Sequence, residues 1–136
     1  MVKWTDEKVL ALVVKAREAG RKAGDAKLRE ICEMHHTTPR VNHPIYGDCP
    51  RFLGCCGGAW VVINARQGFY KVAKRLSESR NLRFHCSNNY GGGGMFSVYD
   101  MSNRQELVIN EACSRAVKDV LDNAGVKTEY VHTYID

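Results

Sequence analysis

The most constraining feature of the sequence is a nearly continuous apolar run, Ala59-Trp60-Val61-Val62-Ile63-Asn64, which predicts a buried β-strand. After it, apolar residues recur at helical spacing, and two alternating segments around the glycine-rich stretch 88–94 predict a β-hairpin. A second amphipathic helix and a last strand rich in Thr, Tyr and Val follow. The predicted order is strand, helix, strand, strand, helix, strand, which is typical of an α+β, ferredoxin-like βαββαβ sheet.

The pattern divides the 136-residue chain, which has the length of one domain, into three parts. Residues 1–34 are predicted to be a helical segment added in front of the sheet, and Gly20 and Gly24 predict a kink or a break into two helices. Residues 35–58 hold all three prolines, which indicates an irregular connection. Residues 59–136 form the predicted βαββαβ core.

Capping residues are predicted at several helix ends. Thr5 can cap the first helix, and Ser102 with Gln105 matches the capping box in front of the second core helix. Gly125 follows the last turn of that helix and predicts its end. Each cap would satisfy backbone groups that a helix end leaves without a partner.

The last predicted strand leaves an aromatic surface. One of its two sides carries Thr128, Tyr130, His132 and Tyr134. Both core helices are expected to pack on one face of the sheet, so the aromatic side on the other face needs cover. The N-terminal helix, a second copy of the chain or a ligand could provide that cover, and we expect a homo-oligomer.

Charge and hydropathy narrow the class of partner. A formal net charge of +5 suits an anionic partner such as a nucleotide and falls short of the dense basic patches of a dedicated DNA-binding protein. No apolar run reaches the roughly 20 residues of a membrane span, and no secretory signal opens the chain, which predicts a cytoplasmic protein with no membrane partner. The six cysteines are then expected to be reduced, with Cys86 and Cys113 in the core.

Catalytic and metal-binding patterns are weak in this sequence. The residue types that ligate zinc cluster at His35, His36, His43, Cys49, Cys55 and Cys56. Their spacing does not match the paired ligands of zinc sites, so we expect no metal. Cys55 or Cys56 could act as a nucleophile only if the fold placed a histidine beside it. We therefore expect a binding protein with no cofactor rather than an enzyme.

Two regions could hold an anion. Gly91–Gly94 follow Tyr90, and glycine amides can cradle a phosphate while a neighbouring aromatic ring holds a base. Arg66 and Gln67 are expected to open one core helix, and Asn103, Arg104 and Gln105 to open the other, and helix N-termini attract phosphate. A flexible hairpin tip, ordinary capping and surface charge would explain the same residues without any ligand.

RNA binding is an alternative that the predicted sheet admits. Ferredoxin-like sheets that bind RNA stack its bases on aromatic side chains of the two central strands. The segment Gly94–Tyr99 matches the required strand motif only loosely, because its aromatic positions are out of phase. An RNA-binding module using the open face of the sheet therefore stays an alternative to a small-ligand site.

Short motifs along almost the whole chain occur in a distinctive order. They are Ala19–Gly24, Cys56–Val61, Phe69 with Lys74, Tyr90-Gly91-Gly92, Gln105, Glu111-Ala112, Val120-Leu121, Gly125 and Asp136. In this order they resemble the phage-encoded Thoeris anti-defence sponge family. The family has an arginine just before the terminal aspartate, where Tyr134 or Ile135 stands here, and another early in the last helix, at a position near Ile109. Both differences would remove phosphate partners.

The resemblance implies a non-enzymatic protein that sequesters a cyclic ADP-ribose isomer in the host cytoplasm, in pockets between the protomers of an oligomer. The predicted ligand-binding residues are Arg66, Phe69, Tyr90, Gly91, Gly92, Arg104, Gln105 and Asp136. Aromatic rings would stack on a base, and charged side chains would bind the pyrophosphate. An inhibitor that docks on a host protein through the open sheet face is a further alternative.

Overall fold

The computed structural model describes residues 3–34, 56–79 and 83–135. Three helices and four strands follow one another as α1 (Asp6–Met34), β1 (Gly57–Ile63), α2 (Gly68–Ser79), β2 (Phe84–Asn88), β3 (Gly94–Val98), α3 (Leu107–Asn123) and β4 (Thr128–Ile135). The predicted α+β class is confirmed. None of the described helices is both long enough and apolar enough to cross a membrane.

The four strands form one open sheet in the order β2-β3-β1-β4, and every neighbouring pair is antiparallel. β1 lies in the centre, where Val61 stands opposite Phe96 of β3 and opposite Val131 of β4. A shift in register interrupts the β1–β4 pairing between Val62 and Ile63. The apolar run that begins at Ala59 therefore lies in a central strand with a neighbour on each side.

All three helices pack on the same face of the sheet. α1 lies along α3 and also contacts α2. The shared core contains Val9, Leu12, Val13 and Ala16 of α1, Phe69, Ala73 and Leu76 of α2, Val117 and Leu121 of α3, and Val61, Ile63 and Phe96 of the sheet. Removing this apolar surface from water is the main favourable contribution to folding. The N-terminal helix therefore belongs to the helical layer and does not cover the other face of the sheet.

The glycines of α1 are close-packing positions. The helix runs without interruption from Asp6 to Met34, so the predicted break into two helices is wrong. A side chain at Gly20 would overlap the sulfur of Met101, and a Cβ at Gly24 would lie 2.6 Å from the sulfur of Cys113. The missing side chains let α1 approach its neighbours, which offsets a helix-propensity penalty of about 1 kcal/mol for each glycine.

Several predicted element boundaries are confirmed, and one shifts. The backbone N–H of Lys8 donates to Oγ1 of Thr5 at 3.2 Å, as the predicted cap requires. Gly125, which has a φ of 87°, ends α3 as predicted. β1 begins at Gly57, two residues before the predicted start at Ala59, because its pairing with β4 already begins there.

The predicted capping box in front of α3 is wrong. The helix begins at Leu107, and its N-cap is Glu106, which makes no side-chain capping bond. The hydroxyl of Ser102 instead accepts the backbone N–H of Arg104 at 3.0 Å. Arg104 and Gln105 consequently lie in the segment before the helix and not in its first turn.

The described cysteines differ in their state. Cys86 and Cys113 are buried and free, as predicted. Burial raises the pKa of the Cys86 thiol to about 12 and that of the Cys113 thiol to about 11. Cys56 is free and exposed. Cys32 is disulfide-bonded, so the prediction of reduced thiols is wrong at this position.

The second face of the sheet, here called the open face, carries no helix among the described residues. The register with β1 places Tyr130, His132 and Tyr134 of β4 together on this face with Trp60. The indole of Trp60 stacks on His132 at 4.5 Å between ring centroids and meets Tyr134 at 5.4 Å. The register places no Lys or Arg of the four strands on the open face, so this aromatic face is close to neutral.

Candidate functional site

Two cavities lie at opposite ends of β1. The basic cavity has a volume of about 900 Å³ and lies beyond Ile63, where its lining includes Lys3, Trp4, Arg66, Gln67, Lys71 and Lys127. The neutral cleft has a volume of about 400 Å³ and lies at the start of β1, where its lining includes Gly58, Asp100, Arg104, Gln105, Asn110 and Tyr134. Because β1 has seven residues, about 20 Å of strand separates the two cavities.

The basic cavity is positively charged on every side. Its lining contains the cationic residues Lys3, Arg66, Lys71 and Lys127 and, among the described residues, no aspartate or glutamate. Within the described ranges, none of these four side chains forms an ion pair. The first turn of α2, which borders the cavity, also carries no acidic residue. The cavity therefore favours an anionic occupant.

The side chains of Gln67 and Asn64 hold two of the cationic residues in place. The amide N–H of Gln67 donates to the carbonyl oxygens of Asn64 at 2.9 Å and Lys127 at 2.8 Å. Its amide oxygen accepts the backbone N–H of Lys127 at 2.9 Å. The backbone N–H of Arg66 donates to Oδ1 of Asn64 at 2.8 Å. These bonds join the loop after β1 to the start of β4 and fix the backbones that carry Arg66 and Lys127.

Trp4 forms the aromatic wall of the basic cavity. Its ring meets the buried ring of Phe69 edge to face, with the centroids 5.1 Å apart. This contact anchors the short segment before α1, which also brings Lys3 to the cavity. An indole beside four cations is an arrangement that can accept a planar group attached to a phosphate.

The neutral cleft contains a buried ion pair. The guanidinium of Arg104 donates from Nε to Oε2 of Glu106 at 3.0 Å and from Nη2 to Oε1 of the same carboxylate. The two side chains are only 8% and 7% exposed. A two-point pair of this kind cancels the charge of Arg104 locally, so the predicted pyrophosphate contact at this residue does not fit the structure.

Tyr134 forms the aromatic wall of the neutral cleft. Its ring lies so close over Gly58 that a side chain at position 58 would overlap it. The other side of the cleft is formed by α3, where the amide N–H of Asn110 donates to the carbonyl oxygen of Gly57 at 2.8 Å. Tyr134 also contacts Trp60, so the cleft and the aromatic row of the open face meet at this tyrosine.

Phe69 is a core residue in this structure, in contrast to its predicted role. Its side chain is fully buried between Trp4 and Phe96, with the Phe96 ring centroid 5.6 Å away. A ring with no exposed surface cannot stack on a ligand without disrupting the core. Asp136, another predicted ligand-binding residue, lies outside the described residues.

The predicted Tyr90 turn is exposed and joins β2 to β3. Tyr90 itself is fully exposed, and Gly92 and Gly93 have φ values of 97° and 79°, which glycine adopts readily. The backbone N–H of Gly92 donates to the carbonyl oxygen of Asn89 at 3.1 Å, so this amide closes the turn. Tyr90 and Gly91 lie at the same end of the sheet as the basic cavity but do not line it.

The structure thus divides the predicted site. Arg66 and the Tyr90 turn lie at one end of β1, while Arg104 and Gln105 lie at the other, where the backbone N–H of Gly57 donates to the carbonyl oxygen of Gln105 at 3.0 Å. Prediction missed the contributions of Lys3, Trp4, Lys71, Lys127, Asn110 and Tyr134. The predicted topology could have revealed Lys127, because the end of the first strand and the start of the last are neighbours in it.

Most of the candidate metal cluster lies outside the described residues, which include Cys56 but none of its other members. Among the described residues, no three His, Cys, Asp or Glu side chains are placed to hold a metal ion. The nucleophile candidate Cys55 is outside the described ranges as well, and Cys56 is exposed beside the start of β1. Comparisons of the chain with protein families, curated proteins and solved structures found no match.

Proposed function

We propose that this chain is a non-catalytic binding protein that sequesters a small nucleotide-like anion, with the phosphates in the basic cavity. The observation that carries the proposal is the set of four cationic side chains without ion pairs around one cavity of about 900 Å³. Hydrogen bonds to charged groups are each worth about 1.5–3 kcal/mol. Hydrogen bonds from Gln67 to Lys127 and from Arg66 to the side chain of Asn64 fix the two backbones that carry these cations, which reduces the entropy lost on binding.

We propose a cyclic ADP-ribose isomer as the ligand, which is the class that the resemblance to the Thoeris anti-defence sponges implies. Such a ligand carries a pyrophosphate, which suits four cations better than a single phosphate would, and an adenine, for which Trp4 offers an aromatic wall. In this proposal the protein acts in the cytoplasm of a phage-infected host. A homo-oligomer would let a second copy close the cavity.

Binding without chemistry is supported by the state of the two buried thiols. Burial keeps Cys86 and Cys113 protonated at neutral pH, because it raises the pKa of each thiol well above 9. The basic cavity itself has no carboxylate, cysteine or histidine among its described lining residues. A described lining without carboxylate, cysteine or histidine supports capture of the ligand in unchanged form.

We also propose that the sheet and its two core helices belong to the ferredoxin-like class. The strand order β2-β3-β1-β4, antiparallel throughout, supports this assignment. So does the placement of α2 between β1 and β2 and of α3 between β3 and β4, with both helices on one face. α1 is then an addition to the helical layer.

Native mass spectrometry with cyclic ADP-ribose isomers and with inorganic pyrophosphate tests the proposed function. We expect the mass of one intact ligand per site, and recovery of the unchanged ligand after denaturation. The variant Arg66→Ala with Lys127→Ala should lose this binding. The matched control Lys15→Ala with Arg21→Ala, which removes two charges from exposed positions of α1, should keep it. Absence of any bound anion, or recovery of a cleaved ligand, would contradict the proposal.

RNA binding is the second candidate function, and one observation favours it. Trp60 lies on the open face of the central strand β1, beside the half-exposed rings of Tyr130 and Tyr134. The four strands place no Lys or Arg on that face, which argues against it, because the phosphate backbone supplies most of the affinity for RNA. RNA binding that falls steeply with salt and is lost in Trp60→Ala would favour this candidate over a small ligand.

A further inference from the structure

We infer that the neutral cleft is a second binding site, which takes an uncharged planar heterocycle carrying an amino group, and which works independently of the basic cavity. The volume of about 400 Å³ is within the range of small-ligand sites. One aromatic wall, one amide-bearing helix and one buried ion pair surround this space. Each of these three groups offers a different contact to a ligand.

The aromatic wall is rigid and half exposed. Tyr134 is 42% exposed, and its ring is held between the backbone of Gly58 and the indole of Trp60. A ring fixed in this way loses little conformational entropy when another ring stacks on it. Stacking on an aromatic side chain is tolerant of the chemical identity of the base. The wall therefore selects for planarity rather than for one particular compound.

The cleft offers hydrogen-bond acceptors on Asn110 and Asp100. Asn110 uses its amide N–H on Gly57, which leaves its carbonyl oxygen as the acceptor. Asp100, an exposed residue, lines the cleft and contributes a carboxylate as a second acceptor. Asp100 also has a φ of 59°, a conformation uncommon for residues other than glycine. These acceptors match the N–H donors of an amino-substituted heterocycle.

The charge of the cleft excludes phosphate. Arg104 is the cation in its described lining, and that charge is already paired with Glu106. An anion that recruited Arg104 would leave the carboxylate of Glu106 buried and unpaired, which is strongly unfavourable. Asp100 adds a negative charge to the same space. A nucleoside therefore suits the cleft, whereas pyrophosphate suits the basic cavity.

The two tryptophans of the chain allow each cavity to be observed alone. Trp4 lines the basic cavity, and Trp60 contacts the Tyr134 wall of the neutral cleft. In the variant Trp4→Phe, adenosine should change the fluorescence of Trp60 in a saturable way, and pyrophosphate should leave it unchanged. In the variant Trp60→Phe, pyrophosphate should change the fluorescence of Trp4. If only the adenosine response of Trp60 is missing, the inference about the cleft fails. If only the pyrophosphate response of Trp4 is missing, the proposed function fails.

Variants of the wall make the inference specific. Tyr134→Ala should weaken adenosine binding about fivefold or more, and Tyr134→Phe should retain it. Tyr130→Ala is the matched control, because Tyr130 lies on the same strand and face with 44% exposure but does not line the cleft. Purine riboside, which lacks the amino group, should bind more weakly than adenosine. The inference is overturned if adenosine gives no saturable response, if Tyr130→Ala weakens binding as much as Tyr134→Ala, or if pyrophosphate displaces adenosine.

Discussion

The same dipeptide lies beside each end of β1, but its arginine is unpaired among the described residues at one end and neutralised at the other. Arg66-Gln67 precedes α2, and Arg104-Gln105 precedes α3. At the first position a glycine follows, and Arg66 lines a cavity that has no described acidic residue. At the second position Glu106 follows and neutralises Arg104 inside the protein. One residue after the dipeptide thus decides whether its arginine is available to an anion.

The two arginines do not predict one shared binding site, although each is followed by a glutamine. Each dipeptide follows or adjoins a different end of the central strand, so a single small ligand cannot contact both arginines of one chain. The glutamines differ as well, because Gln67 bonds the start of β4 through its side chain, whereas Gln105 bonds β1 through its backbone carbonyl. Equivalent positions have acquired different structural tasks.

The largest expected effect comes from breaking the neutral end. Glu106→Gln should destabilise the fold by about 3–5 kcal/mol, because it leaves the buried charge of Arg104 without compensation. Urea unfolding measures this change. Glu111→Gln is the matched control on the same helix, since Glu111 pairs with Arg115 at 3.6 Å near the surface and should contribute at most about 1 kcal/mol. Equal losses in the two variants would show that the buried pair has no special weight.

The next largest effect is expected when a glutamate is placed beside the basic cavity, at the position that Glu106 has beside the neutral cleft. Gly68→Glu places a carboxylate directly after Arg66-Gln67, and a Cβ at position 68 meets only Trp4, at an ordinary 3.6 Å. Pyrophosphate affinity, measured by calorimetry, should fall about tenfold or more, which corresponds to about 1.4 kcal/mol. Gly68→Gln has nearly the same shape without the charge and should bind normally. A matching loss in Gly68→Gln would assign the effect to shape instead.

A smaller effect is expected from salt. Raising the ionic strength from about 0.01 M to about 0.15 M shortens the Debye length from about 30 Å to about 8 Å. Binding of pyrophosphate in the basic cavity, which depends on exposed cations, should weaken several-fold over this range. Binding of adenosine in the neutral cleft should not change. If both ligands respond alike in parallel fluorescence titrations, the electrostatic distinction between the two ends is incorrect.

The smallest effect concerns Asp122 at the end of α3. Burial raises its pKa, but hydrogen bonds from Lys118 and Thr128 and the charge of Lys118 outweigh this and hold the pKa below its usual 3.8. A lowered pKa stabilises the fold above pH 4 and loses that contribution as the pH falls through the lowered value. Asp122→Asn should therefore destabilise the protein by up to about 1 kcal/mol at pH 7. The difference should vanish in strong acid, and the exposed neighbour Asp119→Asn should show none in urea unfolding at either pH.

Much of the fold could be predicted because local patterns and packing agree in the second half of the chain. The alternation of β2 and the buried face of α3 around Val117 follow directly from apolar spacing. The first helix was harder, because Gly20 and Gly24 have a low intrinsic propensity that hides their packing against Met101 and Cys113. Tertiary contacts of this kind outweigh propensity and leave no trace in a local pattern.

The candidate site was less predictable than the fold, for reasons visible in single residues. Phe69 matched a ligand-stacking role and a core role equally well, and only packing against Trp4 and Phe96 decides between them. The basic cavity combines Lys3, Arg66 and Lys127, which are far apart in sequence. Their meeting depends on which loops share one end of the sheet, so the residue types alone could not reveal it.

The contact between Gly58 and Tyr134 has a consequence for how this chain can change over generations. Because the tyrosine ring occupies the space of any side chain at position 58, a lineage that keeps the tyrosine must keep the glycine. Loss of the ring would allow other residues at position 58, so substitutions at the two positions should occur together. A linked glycine and tyrosine at this spacing would therefore identify chains that have inherited the cleft, even where the rest of the sequence has diverged.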